Sequence, residues 1–265
     1  MIQPGLCPVC GSKYISGFKA GTQKIEQVVK ARFPQARVLR MDMDTTRTKD
    51  GYEQILSAFS NHEADILIGT QMIVKGHDFP GVTLVGVLAA DLSLYISDYR
   101  ASERTFQLLT QAAGRAGRGD IPGNVIIQTY DPDHYSITTA KEQNYEAFYG
   151  QEIEYRKMMR YPPVWNMLYI LCASKNEAAA SEAAVALMGK IDQIVRENSE
   201  KIFSIGPSDA PVAKISDVYR KVIYVKTREY QTLVTLKDGL EAFIKDNRLY
   251  QNVAVGFDFN PVNGF

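Results

Sequence analysis

Between residues 21 and 140, short apolar runs alternate with amphipathic helical stretches, and few folds accept that pattern. A helix is expected over 23–33, with Ile25, Val28, Val29 and Phe33 as its apolar stripe, Thr22 as cap and Pro34 just past its end. The run 37–41 alternates as a strand. Residues 50–60 set Tyr52, Ile55, Leu56 and Phe59 on one helical side. Runs 64–68, 82–89 and 124–129 read as buried strands, and 103–110 as a helix with an acidic start. A short strand over 13–17 would precede them all. Strand–helix alternation of this kind implies a parallel sheet covered on both faces. Ligands on such sheets bind at the carboxyl ends of the strands. Gly69-Thr70-Gln71 and Asp91 are expected at such ends.

Two constellations fall on this frame. Gln111-Ala-Ala-Gly-Arg-Ala-Gly-Arg-Gly119 places Arg115 and Arg118 three residues apart, with Gln111 four before the first. At i, i+3 on a helix end the two guanidiniums are neighbours on one face. Guanidinium forks bind phosphate oxygens bidentately and never lose their charge, so the pair suits the terminal phosphate of a nucleotide. A basic helix end facing its own carbonyls is the other reading of Arg-x-x-Arg. The second constellation is Gly69-Thr-Gln-Met-Ile-Val-Lys-Gly-His-Asp-Phe-Pro80. Thr70 and Gln71 are candidates to cap the following turn and, with Lys75, to contact a phosphodiester backbone, and Asp78 to orient a ribose hydroxyl or an arginine. A capped strand-to-helix loop is the alternative.

The sequence contains no Gly-x-x-x-x-Gly-Lys-Ser/Thr run and no Asp-Glu-x-His box. Arginines without a phosphate-cradling loop suit the second lobe of a two-lobed motor. Such a chain is not expected to hydrolyse ATP by itself. Lys+Arg and Asp+Glu are both 30 of 265 residues, so a DNA contact must come from a local patch rather than a general basic excess. No apolar run approaches membrane-spanning length and no leader pattern is present, which places the expected location in the cytoplasm, without a membrane partner. Cys7-Pro-Val-Cys10-Gly is shaped like half a zinc site, since structural zinc takes four ligands. Truncated zinc site and redox pair both remain open for it. The remaining cysteine, Cys172, falls in an apolar strand and reads as core.

The second half begins with a charged helix over 144–160, ended by Tyr161-Pro162-Pro163. Its aromatics read as packing residues, with base stacking as the alternative. Beyond it the pattern gives strand 166–174, helix 177–198, strands near 212–216 and over 219–227, helix 229–246 and strand 252–258. That order is β-α-β-β-α-β, a split, ferredoxin-like α+β arrangement. Arg220 and Lys221, with Tyr219, Tyr224 and Lys214, form its basic and aromatic cluster, open equally to a binding role and to a solvated strand face. The expected divisions are 1–20, the tail of a metal-binding insertion; 21–142, the α/β lobe; 143–165, a bridging helix; and 166–265, the α+β domain.

Gly69–Pro80, Asp98-Tyr-Arg-Ala-Ser-Glu-Arg-Thr-Phe-Gln107, Gln111–Gly119 and Tyr161-Pro-Pro163 together resemble the PriA-type replication-restart helicases of helicase superfamily 2. Gly206-Pro-Ser-Asp-Ala-Pro211 and Phe257-Asp-Phe-Asn-Pro261 resemble the final domain of that family. The resemblance implies a RecA-like second helicase lobe and a C-terminal domain, from an ATP-dependent 3′-to-5′ DNA helicase that restarts stalled forks by promoting primosome assembly. It implies ATP with Mg²⁺ as cofactor, and Zn²⁺ with Cys7 and Cys10 in its ligand set. Gln111, Arg115 and Arg118 become the catalytic and ATP-binding residues, joined by Gly76 and Asp78; Thr70, Gln71 and Lys75 become the DNA contacts. Forked or single-stranded DNA, the single-stranded DNA-binding protein and other primosome proteins are the implied partners. The departure from the family is the missing N-terminal part, so the sequence reads as the C-terminal piece of a longer protein, expected to be a monomer. A non-catalytic nucleic-acid or protein-binding module, and the second lobe of another superfamily 2 translocase, are the competing readings.

Overall fold

A computed structural model describes residues 21–46, 51–74, 79, 81–118, 121–197, 201–247 and 252–262. The expected strand over 13–17, Cys7 and Cys10, and Lys75, Gly76 and Asp78 lie outside the described residues. The contacts divide the chain into two units. One holds the residues through Asp91 together with Phe106–Ile137; the other holds Leu92–Thr105 and Thr138–Phe265.

The first unit is mixed α/β. Its elements are α1 (Thr22–Arg32), β1 (Val38–Met41), α2 (Gly51–Ser60), β2 (Ile66–Gly69), β3 (Leu84–Val87), the later part of α3 (Ala101–Ala113), and β4 (Asn124–Ile127). Short 3₁₀ turns follow β2 and β3, at Gln71–Val74 and Ala90–Ser93. β1 pairs with β2 and β3 with β4, both in parallel register, with Val38 opposite Ile66 and Leu84 opposite Asn124. Among the described residues this makes two parallel pairs rather than the single sheet expected. Nor are both faces covered. β3 and β4 alternate exposed and half-buried positions, and Leu84 and Ile126 are exposed on the same face as Gly86 and Asn124.

Helix α1 also departs from expectation. Its N-cap is Gly21, whose carbonyl accepts from Lys24 and Ile25. Thr22 is already helical, and its hydroxyl donates to the Asp42 carboxylate at 2.5 Å. Ile25 and Val29, one turn apart, are half-buried, while Val28 and Phe33 are exposed. The buried stripe is thus narrower than the sequence pattern suggests.

The second unit carries the later part of α4 (Tyr135–Lys141), α5 (Tyr145–Met159), and then β5 (Asn166–Ser174), α6 (Glu177–Glu197), β6 (Phe203–Ile215), β7 (Val218–Thr227), α7 (Tyr230–Asp246) and β8 (Ala254–Phe259). The four strands form one antiparallel sheet in the order β6-β7-β5-β8. Alternation along β5 assigns its two faces. Leu168, Ile170 and Cys172 join Leu187 and Ile191 of α6, Leu233, Leu236 and Leu240 of α7, and Ile223 and Val225 of β7 in one buried core. Tyr169 packs with Val222 and Ala210 in a separate cluster that Leu171 and Tyr224 cover. Each leucine fully buried in the main core contributes about 1.5–3 kcal/mol of transfer free energy, and several lie at 0–1% exposure. Cys172 is core, as its sequence setting suggested; burial pushes its thiol up to about 12.

β6 is much longer than the expected 212–216. Pro207 and Pro211 both fall within it. The strand tolerates them because it lies at the sheet edge, where a missing N–H costs no ladder bond. Its register against β7 shifts between Ile205 and Ser208 and again between Asp209 and Lys214.

Candidate functional site: an arginine turn and a basic, aromatic hollow

Helix α3 ends at Ala113, before either arginine. Its last bonds tighten: Gly114 N–H reaches the Thr110 carbonyl, while Arg115 and Ala116 N–H reach Ala112 and Ala113, one residue closer. Gly117 then takes φ +73, a left-handed conformation that a side chain would strain. Its N–H donates to the Val82 carbonyl at 3.0 Å, just ahead of β3. A Cβ on Gly117 would stand 2.5 Å from the Gly123 nitrogen, so the two glycines pass with only backbone between them. The glycine-rich spelling therefore serves a close chain crossing. It also places Arg115 and Arg118 in a turn beyond the helix, rather than on one helical face as their spacing suggested. Gln111 is exposed on the last turn of α3, Arg115 is half-buried and Arg118 is exposed. Arg118 Nε donates to the Gly114 carbonyl at 2.7 Å.

The other strand ends hold the remaining described candidates. Gly69 closes β2 against the Met41 carbonyl and Ile73, where a Cβ would clash with both. Thr70 accepts from Ile73 N–H through its carbonyl, so the turn is closed by backbone, and Gln71 is exposed at its start. Asp91 follows β3 and is 3% exposed. Its carboxylate accepts from Thr129 Oγ1 at 2.5 Å and from the N–H groups of Tyr130 at 3.0 Å and Asp131 at 3.3 Å. Burial pushes this carboxyl up, but those donors outweigh it and hold it below the usual carboxylate range. Asp91 thus ties the ends of β3 and β4 together. Among the described residues no group of three or more His, Cys, Asp or Glu is placed to hold a metal ion.

A second feature lies in the α+β unit. A hollow of about 440 Å³ is lined by Arg160, Trp165, Lys201, Phe203, Arg228 and Glu229, among others. It contains none of the arginine-turn residues. Arg160 is the C-cap of α5, in the left-handed region at φ 55, ψ 53. That conformation carries its guanidinium over the Phe203 ring, 3.6 Å from the centroid. Arg228 lies 5.4 Å from the centroid of Trp165, and Trp165 meets Phe203 edge to face at 5.6 Å. Three cations face one carboxylate around aromatic walls, which suits an anionic ligand with apolar parts. Behind it Lys226, 5% exposed, donates to the Met159 carbonyl and sits 3.8 Å above the Tyr161 ring.

The sequence singled out a different basic cluster. Lys221 is paired with Asp209 and Glu177, and Lys214 with Asp217 while resting on Tyr219, so carboxylates neutralise both lysines; Arg220, which alternation puts on the opposite face with Val222 and Tyr224, donates to the Val212 carbonyl. The hollow was missed because its residues are scattered over three connections. The one usable signal was Arg160 directly before a Tyr-Pro-Pro stop with the chain's single tryptophan, Trp165, just beyond. Of the aromatics on α5, Phe148 is buried, while Tyr145, Tyr149 and Tyr155 are exposed.

Comparison with known proteins covers both units. Residues 14–120 match the helicase conserved C-terminal domain, and residues 157–262 the primosomal protein N C-terminal domain. The replication restart protein PriA of Bacillus subtilis (strain 168) is 45% identical over 260 residues, covering 97% of this chain and 32% of that protein. Its counterpart in a Synechocystis strain is 43% identical over 85% of this chain and 27% of its own length. That of Chlamydia pneumoniae is 40% identical over 99% of this chain and 34% of its own length. The chain spans about a third of the length of the curated relatives it matches.

Proposed function

The chain belongs to the PriA family of replication restart proteins, as a RecA-like second helicase lobe followed by the PriA C-terminal domain, and from that premise we propose that it is the C-terminal region of an ATP-dependent DNA helicase acting with 3′-to-5′ polarity. The observation that carries this reading is the turn after α3, in which Arg115 and Arg118 flank Gly117 at its backbone crossing with Gly123. Forked cations and a side-chain amide suit the oxygens of a nucleotide's terminal phosphate. ATP with Mg²⁺ supplies the transferable phosphoryl group. Arg118 stabilises the charge that develops on it, and Arg115 binds its oxygens or couples them to Gln111. Gly76 and Asp78 complete the nucleotide contacts of this lobe. Thr70, Gln71 and Lys75 hold the DNA backbone, where contacts add affinity without sequence preference. Cys7 and Cys10 supply two of the four ligands that a structural zinc ion takes.

In the same proposal the second unit meets partners. Its β-α-β-β-α-β order and antiparallel sheet support a ferredoxin-like assignment. Its cation-lined hollow favours the acidic tail of the single-stranded DNA-binding protein, and primosome assembly at forked DNA follows from holding such partners. Unwinding of a forked duplex by the intact protein tests the reading. ATP-dependent unwinding that needs a 3′ single-stranded arm supports it; binding without nucleotide-dependent unwinding would make the chain a non-catalytic module.

A further inference from the structure

Behind the hollow of the α+β unit lies a buried cation that is not part of its lining. Lys226 is on β7, two residues before Arg228, and is 5% exposed. Its Nζ donates to the Met159 carbonyl at 3.2 Å and lies 3.8 Å above the Tyr161 ring, so it grips the residues on either side of Arg160. Arg160 is the left-handed C-cap between them, with its guanidinium 3.6 Å from the Phe203 centroid. Phe203 is in turn directly opposite Lys226 across the β6–β7 ladder, where paired side chains share a face. The Tyr-Pro-Pro stop is also held by Arg156, which donates to the Pro162 carbonyl at 3.0 Å and pairs with Glu152 and Glu103. All of these residues belong to the second unit.

A buried ammonium ordinarily has a carboxylate beside it. Among the described residues Lys226 is paired with none; its partners are a carbonyl and a ring, and its charged neighbour is Arg160, of its own sign. Burial first, and then that repulsion, push the ammonium down to about 8. The other titratable groups on its side are Tyr161 and Tyr224, the latter two residues back on the same face of β7. Burial raises both phenols above their ordinary range, so they stay neutral through pH 9. Its opposite residues on β5 and β6 are Met167 and Phe203, which do not titrate. An anion bound by Arg160 cancels the repulsion that Arg160 exerts and so favours the charged lysine. A neutral amine, by contrast, loses its hold on the Tyr161 ring and weakens its bond to the Met159 carbonyl.

We propose that Lys226 is a positioning residue for Arg160: its ammonium fixes the residues on either side of that arginine, and an anionic ligand in the hollow holds the ammonium charged, so that ligand binding takes up a proton in mildly alkaline solution. The inference deepens the acidic-tail reading of the hollow and rests on it for the ligand, though not for the clamp on residues 159 and 161.

The experiment uses the intact protein and an N-acetylated acidic tail peptide of the single-stranded DNA-binding protein, with affinity measured by calorimetry at pH 7 and pH 9. For the wild type the dissociation constant should rise ~3- to 10-fold between the two. Lys226→Arg, charged throughout, should bind alike at both and close to the wild type at pH 7. Lys226→Met should bind at both about as weakly as the wild type does at pH 9. A merely structural lysine would lower affinity on substitution without giving the wild type a pH profile. A wild-type affinity that does not change with pH, or a change that persists in Lys226→Met, overturns the proposal. Amide exchange at Arg160 and Tyr161 should quicken in Lys226→Met without ligand, while that of α6 stays as in the wild type; unchanged exchange at both residues also overturns it. A wild type that fails to bind the peptide at pH 7 would refute the acidic-tail reading instead, and exchange alone would then decide the clamp.

Discussion

Arg118 donates Nε to the Gly114 carbonyl at 2.7 Å and so caps the end of the helix it follows. An exposed cation on a terminal carbonyl contributes only about 0.3–1 kcal/mol. Arg118→Ala should therefore leave the denaturation midpoint almost unchanged, with a loss no greater than about 1 kcal/mol. A larger loss, measured by urea titration, would give the residue a structural role.

Asp91 is the opposite case. Replacing it with alanine would leave Thr129 Oγ1 and two N–H groups without their shared acceptor, at a cost of about 1–3 kcal/mol. Its carboxyl is held below the usual range, so its stabilising effect is complete above the unfolded value near ~3.9 and fades as pH falls through the folded one. Acid titration of the wild type against Asp91→Asn should show that difference between the two proteins shrinking at low pH. A constant difference down to full protonation would contradict it.

Lys226 gives a test at the alkaline end. Burial first, and then Arg160 nearby, push its ammonium down to about 8. Between there and the unfolded lysine value of ~10.4, the unfolded chain binds more protons than the folded one. Stability should then rise with pH above 8, by up to about 1.4 kcal/mol per unit. Lys226→Met should flatten the profile from pH 8 to 9.5, below the region where the tyrosines titrate. A wild-type profile that is flat or falling in this window would show that the lysine is not strained.

The hollow around Trp165 predicts a binding defect. Arg228→Ala should weaken an acidic tail peptide of the single-stranded DNA-binding protein by roughly tenfold, the scale of one charge-assisted contact. Lys214→Ala, whose cation is already paired with Asp217, should not. Fluorescence anisotropy at two salt concentrations measures both. Equal affinity for the wild type and Arg228→Ala would remove the hollow from the account.

Much of the second unit was legible in the sequence, because its pattern has one physical cause. Leu168, Ile170 and Cys172 alternate toward the helices, and Leu233, Leu236 and Leu240 recur at helical spacing toward the sheet. The edge strand was not legible, since Pro207 and Pro211 look like loop residues until the strand is known to lack a neighbour on one side. In the first unit the elements were found but their cover was not. Val28 and Phe33 belong to the apolar pattern and yet are exposed. The arginine string suggested a geometry that the structure does not have. Its i, i+3 spacing suggests a helical face, whereas Gly114 and Gly117 end the helix first. The Glu103–Arg156 pair spans 53 positions, and no local pattern announces a partnership at that separation.

The central claim is that Arg118 acts on a transferred phosphoryl group. Steady-state ATP turnover of the intact protein with Arg118→Ala, in saturating DNA, tests it most directly. Loss of ~10³–10⁵ in turnover, with DNA affinity and melting temperature kept, is the predicted result. Turnover close to that of the wild type would contradict the account and leave the stretch as a basic helix end resting on Gly114.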